Sequence, residues 1–124
     1  MDNHAKVLLL DFYGGLLTAK QYECMDLHCN EDLSFAEIAE QLSISRQGVF
    51  DLVKRAQDIL LKTEQKLAFI KKFNARLLAA ERVMTVLNQM KADQQGKYVI
   101  SQEVMHAIKN EVNQMIDGGT GEEL

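Results

Sequence analysis

The stretch LSISRQGVFDLVKR, residues 42–55, holds the side chains of this chain best able to make specific contacts. Arg46, Lys54 and Arg55 are cations grouped around Gln47, and Ser45 stands where a hydroxyl can cap a helix opening at Arg46. Cations held on a helix can neutralise the phosphates of a nucleic acid. Residues 45–76 carry eight Lys/Arg against three acids, a balance of +5. Residues 1–44 carry two against eight (−6), and residues 77–124 carry four against seven (−3). The net charge of −4 argues against a protein that coats nucleic acid through bulk attraction. The basic block nevertheless begins where the candidate helix begins, the pattern of a local contact.

Turning the helix by about 100° per residue sorts these side chains by face. Val49, Leu52, Val53, Ala56 and Leu60 share one side, which must be the core side. Gln47, Asp51, Lys54 and Asp58 lie opposite, with Arg46 and Arg55 at the flanks. The two carboxylates count against a groove contact, because they repel phosphates unless one accepts from a cytosine amine. Phe50 and Leu61 project at the edge of the same face, about 20° apart. Such a pair is either a protein interface or is covered by the first or the C-terminal helix.

The element that must position this helix is the short one before it. Ser34 and Glu37 spell a capping box, and Phe35, Ile38, Ala39 and Leu42 give the helix an apolar side. A turn at Ser43-Ile44 separates it from the helix capped by Ser45. Two helices joined this way need a small residue where they cross and apolar residues at the corner. Ala39 is that small residue, and Ile38, Leu42, Ile44, Val49, Leu52 and Val53 line the corner. Ser43 occupies the place where glycine is favoured for a left-handed turn. The spacing predicts a helix-turn-helix.

The rest of the chain also reads as helix. It has no proline, and 47% of its residues are hydrophobic and 26% charged, a globular rather than a disordered composition. A first helix is expected over residues 4–13, stopped by Gly14-Gly15, and a second follows a capping box at Thr18 and Gln21 and runs to Cys29. From Arg46 to Ala92 the only glycine is Gly48, so one long helix or two kinked ones are both open. A heptad-like seam runs through Val49, Val53, Ala56, Leu60, Thr63, Leu67, Ile70, Asn74, Leu77, Glu81 and Met84, with Asn74 as its polar register residue. A loop centred on Gly96 precedes a final amphipathic helix from Ser101. The expected organisation is an all-α chain. It comprises a helix-turn-helix unit over residues 1–62, a dimerising helical extension over 63–117 and a flexible tail over 118–124.

Several classes are excluded or disfavoured. Cys24 and His28 are spaced to share a metal, but two ligands do not make a zinc site, and buried thiols are expected at Cys24 and Cys29. No cofactor, metal or catalytic residue is expected. There is no phosphate-cradling glycine loop, no nucleophile motif and no Cys/His cluster with ligand spacing. His4 and His106 are expected to be structural or solvated. No apolar run approaches the roughly 20 residues of a membrane span. With no leader pattern and two reduced cysteines, the expected location is cytoplasmic.

Residues 17–60, LTAKQYECMDLHCNEDLSFAEIAEQLSISRQGVFDLVKRAQDIL, resemble region 4 of bacterial sigma factors. With the flanking LLLDFYGGLLTAKQ and SISRQGVFDLVKRAQDILLKTEQKL, they are more particularly similar to the YlxM family of small helix-turn-helix proteins. That resemblance covers residues 3–73. It implies a DNA-binding regulator contacting DNA through Ser45, Arg46, Gln47, Lys54, Arg55 and Lys62. Arg46 and Gln47 would be the base readers, since arginine suits guanine and glutamine adenine. Lys54 and Arg55 would hold phosphates, joined by Lys62 and Lys66 if the helix continues. It also implies a link to the signal recognition particle pathway, in which the protein would instead bind the particle's RNA or its GTPase. Phe50, Leu61, Leu67, Ile70, Asn74 and Leu77 are the candidate protein interface, most simply of a homodimer.

Overall fold

The structure, a computed structural model, describes residues 1–120. They form six α-helices with no strand among them, and so the fold is all-α. The chain divides into two compact units, residues 1–70 and 71–124.

In the first unit α1 (Asn3–Tyr13) is capped by Asp2, whose carboxylate accepts from the Ala5 N–H at 2.8 Å. It ends at Gly14, which opens a short 3-10 turn to Leu16. A Cβ at Gly14 would lie 2.7 Å from the Tyr22 ring, so this corner takes glycine for space and not for dihedral freedom. Helix α2 (Ala19–Cys29) opens with the complete capping box. The Gln21 N–H donates to Thr18 Oγ1 at 3.2 Å and the Thr18 N–H to Gln21 Oε1 at 2.9 Å. The eight-residue α3 (Phe35–Leu42) repeats it with Ser34 and Glu37 at 3.1 and 3.0 Å. These caps satisfy helix-end N–H groups that would otherwise lack a partner.

Helix α4 (Arg46–Leu67) is the central element. Val49, Val53, Ala56 and Leu60 sit at most 2% exposed in one core with Leu9, Leu10 and Tyr13 of α1, Cys24, Met25 and Cys29 of α2, and Ile38 and Ala39 of α3. Each Val, Leu, Ile or Met side chain among them contributes roughly 1.5–3 kcal/mol when fully removed from water. The two thiols are part of this packing, and burial pushes both up from the ordinary cysteine range.

The stretch from Arg46 forms two helices, not one, and the second ends at Gln89. Helix α5 (Phe69–Gln89) follows after a single residue, Ala68, at φ 55° and ψ 29°. An alanine in this left-handed region costs roughly 1–2 kcal/mol. The cost is offset at the joint by side chains from far and near. The Phe69 N–H donates to Tyr13 Oη at 3.2 Å, the Ile70 N–H to Glu64 Oε1 at 3.0 Å, and Tyr13 Oη–H to Glu64 Oε1 at 2.5 Å. The expected continuous seam from Val49 to Met84 is therefore overturned. Its first four core positions are consumed inside this unit, and Ala68 breaks its register.

The second unit holds the rest of α5 and α6 (Gln102–Thr120). Between them, Asp93 organises the loop by accepting from the Gln95 and Lys97 N–H groups at 2.8 and 2.9 Å, and Gly96 supplies φ 77°. Ser101 Oγ caps α6 through the Val104 N–H at 3.1 Å. Arg82 pairs with Glu111 at 3.5 Å across α5 and α6. The expected tail is helical as far as Thr120, and residues 121–124 lie outside the described residues. No helix among the described residues is long and apolar enough to cross a membrane.

Candidate nucleic-acid interface

The helix-turn-helix is built at Ser43. This residue sits at φ 57° and ψ 43°, in the left-handed region, as its place in the sequence requires. The turn lets the Ile44 N–H donate to Ala39 O at 3.1 Å and folds the corner over Ile38 and Val49, both fully buried. Ser45 then caps α4 by accepting from the Gly48 N–H at 2.9 Å. Gly48 belongs to that cap, because a Cβ there would approach Ser45 Oγ to 3.1 Å. The Ser45 hydroxyl hydrogen stays available as a donor.

Beyond the cap, Arg46 and Gln47 occupy the first turn of α4 and are exposed. They stand at the positive end of the helix dipole, where an anion is favoured. Lys54, Arg55 and Lys62 are exposed further along the same helix. Around the axis, Lys54 falls about 80° from Arg46, while Arg55, Lys62 and Lys66 fall at about 180°, 160° and 200°. The predicted cations thus make two groups. Gln47 and Lys54 occupy the outward side of the N-terminal half, with Arg46 at its flank. Arg55, Lys62 and Lys66 form a stripe about 16 Å long toward the C-terminal end.

Asp51 stands in the first group, and Gln47 is not independent of it. Gln47 Nε2 donates to Asp51 Oδ1 at 3.1 Å, one turn along. The i, i+4 spacing of an amide and a carboxylate carries that signal in the sequence. In the first turn of α3, Glu37 is held below the ordinary carboxylate range by its hydrogen bonds to Ser34.

The predicted interface residues are dispersed. Phe50 is 44% exposed. Its ring packs against Phe35 of α3 at 6.0 Å, and Phe35 in turn against His28 at 5.0 Å. His28 therefore belongs to an aromatic cluster, and its Nδ1 lies 3.3 Å from Leu33 O. Leu61 lies on the same edge as Phe50 in projection but about 16 Å further along the helix, so the two do not form one patch. Leu67 is exposed in the last turn of α4, and Ile70 packs against the core of the first unit. Asn74 and Leu77 are exposed on α5. No group of three His, Cys, Asp or Glu among the described residues is arranged to hold a metal.

The comparisons with known proteins agree with this geometry. Residues 2–102 match the family model described as "UPF0122: Putative helix-turn-helix protein, YlxM / p13 like". A UPF0122 protein of Acetivibrio thermocellus is 39% identical over 111 residues, covering 89% of this chain and 92% of that protein. Another from Clostridium perfringens is 44% identical over 90 residues, 72% of this chain and 80% of the relative. One from Bacillus cereus is 38% identical over 101 residues, 82% and 88% of the two chains. The chain belongs to the UPF0122 family of YlxM/p13-like helix-turn-helix proteins.

Proposed function

We propose that this protein is a cytoplasmic, DNA-binding regulator without catalytic activity or cofactor, acting as a homodimer. One observation carries the reading. A short α3 and a left-handed Ser43 present the capped first turn of α4 with Arg46 and Gln47 exposed, the arrangement that places a recognition helix in a major groove. Arg46 reads guanine, Gln47 reads adenine, and Lys54 and Arg55 hold phosphates on either side. Dimerisation is supported by the second unit. Only Ala79 is buried along α5, while Leu77, Leu78, Met84 and Leu87, and Val104, Met105 and Ile116 of α6, are at least 36% exposed. Asn74, Leu77 and Met84 keep the seam spacing on one side of α5.

A second reading, an accessory of the signal recognition particle pathway, is favoured by the stripe of Arg55, Lys62 and Lys66. These cations continue along α4 past the turns that a groove holds, and suit a partner recognised by phosphates and shape. Titrations of duplex DNA, the particle's RNA and its GTPase at two salt concentrations separate the two. Duplex binding lost in Arg46→Ala/Gln47→Ala supports the regulator. Saturable binding to the RNA or the GTPase alone, insensitive to that double substitution, supports the accessory.

A further inference from the structure

On the strength of the DNA-binding reading, we infer that Gln47 and Asp51 act as one reader that selects bases carrying a major-groove amino group, adenine and cytosine, over the keto bases guanine and thymine. Asp51 is the specificity-determining residue of the pair.

The chemistry starts from which way the Gln47 amide faces. An amide can present either its oxygen or its nitrogen, but an ionised carboxylate only accepts. The bond to Asp51 Oδ1 at 3.1 Å therefore uses one of the two Gln47 N–H groups. One N–H and the amide oxygen remain. Those are the two groups adenine needs, the N–H for its N7 and the oxygen for its N6 amine. Asp51 thus pre-orders Gln47, reducing the rotamer freedom lost on binding.

Asp51 also acts on the base edge directly. It is exposed on the outward face of α4, one turn after Gln47. In the major groove adenine N6 and cytosine N4 are donors, whereas guanine O6 and thymine O4 are acceptors in the corresponding place. A carboxylate accepts from the first pair and repels the second. The same charge repels the backbone, so Asp51 lowers affinity for every duplex while widening the difference between them. A carboxylate among cations, costly to non-specific binding, is the expected form of such a filter.

The test is selection from a duplex library with randomised positions, at low salt, with the full chain and its Asp51→Asn and Gln47→Ala variants. Asparagine keeps the size of Asp51 and adds an N–H that a keto oxygen can use. The wild type should enrich A or C over G or T by about 10-fold or more at one position. Asp51→Asn should bind the unselected library more tightly and lose that preference to within about 2-fold. Gln47→Ala should keep A and C over G and T through Asp51 and lose only the additional preference for A over C. A tighter Asp51→Asn with the base preference intact overturns the inference and leaves the DNA-binding reading standing. No saturable duplex binding by any of the three proteins overturns both.

Discussion

Tyr13 of α1 donates its phenolic hydrogen to Glu64 of α4 across 2.5 Å, and Tyr13 Oη and Glu64 Oε1 each also accept a backbone N–H from the first turn of α5, of Phe69 and Ile70 respectively. This pair, 51 residues apart, ends α4 at Ala68 and starts the next helix one residue later. Burial, followed by the bond to Glu64, pushes the Tyr13 hydroxyl above the ordinary tyrosine range.

A raised value in the folded state means that the fold keeps a proton which the unfolded chain releases. The resulting stability is complete below the ordinary tyrosine value of 10.0 and is lost as pH rises through the folded-state value. Denaturant midpoints of the wild type should therefore fall faster above pH 10 than those of Tyr13→Phe. Near neutrality the variant should be less stable by about 1–3 kcal/mol, because the Phe69 N–H and the Glu64 carboxylate lose a partner. Parallel pH profiles of the two proteins would contradict the role of this pair.

Ser43 and Ala68 both occupy the left-handed region with a side chain attached. Glycine relieves that strain at the expense of extra freedom in the unfolded chain. Ser43→Gly and Ala68→Gly should each raise stability by about 0.5–1 kcal/mol. Urea denaturation checks it, and a loss of stability in either variant would show that its turn is not held as described.

The helix-turn-helix was legible because its causes are local. Ser34 with Glu37, the odd Ser43 and Ser45 lie within a few residues of the turns they make, and the apolar positions of α4 repeat at helical spacing. The break at Ala68 was not legible, since alanine is the best helix former and the groups that stabilise the break come partly from Tyr13. The same blindness made Val49 to Met84 look like one seam. Phe50 projects at the edge of the outward face of α4 in the sequence, but its neighbour Phe35 can be assigned only once α3 and α4 are packed. The Gln47–Asp51 bond is within reach of its i, i+4 spacing, whereas the sequence reading of Asp51, a charge that repels phosphates unless it accepts from a cytosine amine, leaves Gln47 out.

Lys54 and Arg55 should differ from Arg46 in kind. Lys54→Ala and Arg55→Ala should weaken binding to all duplexes about equally and lower the salt slope by about 1 each. Arg46→Ala should relax selectivity for guanine at one position. Salt titrations against a selected and a scrambled duplex check this. A uniform loss in Arg46→Ala would place that residue on the backbone instead.

Leu77 and Met84 are 45% and 53% exposed on α5, so acidic replacements there have little intramolecular packing to disturb. If α5 is a dimer seam, Leu77→Glu/Met84→Glu should sediment as a monomer with its helix content retained. A wild type that is itself monomeric, or a variant that stays dimeric, would move the interface elsewhere.

The most direct measurement is the affinity for duplex DNA at two salt concentrations, wild type against Arg46→Ala/Gln47→Ala. Saturable binding that falls steeply with salt is expected, with log K dropping by about 0.9 per phosphate contact for each unit of log salt. The double substitution should cost at least 10-fold, from about 1–3 kcal/mol per good base contact. Binding that is absent, or that survives the double substitution unchanged, would refute a DNA-reading role for Arg46 and Gln47.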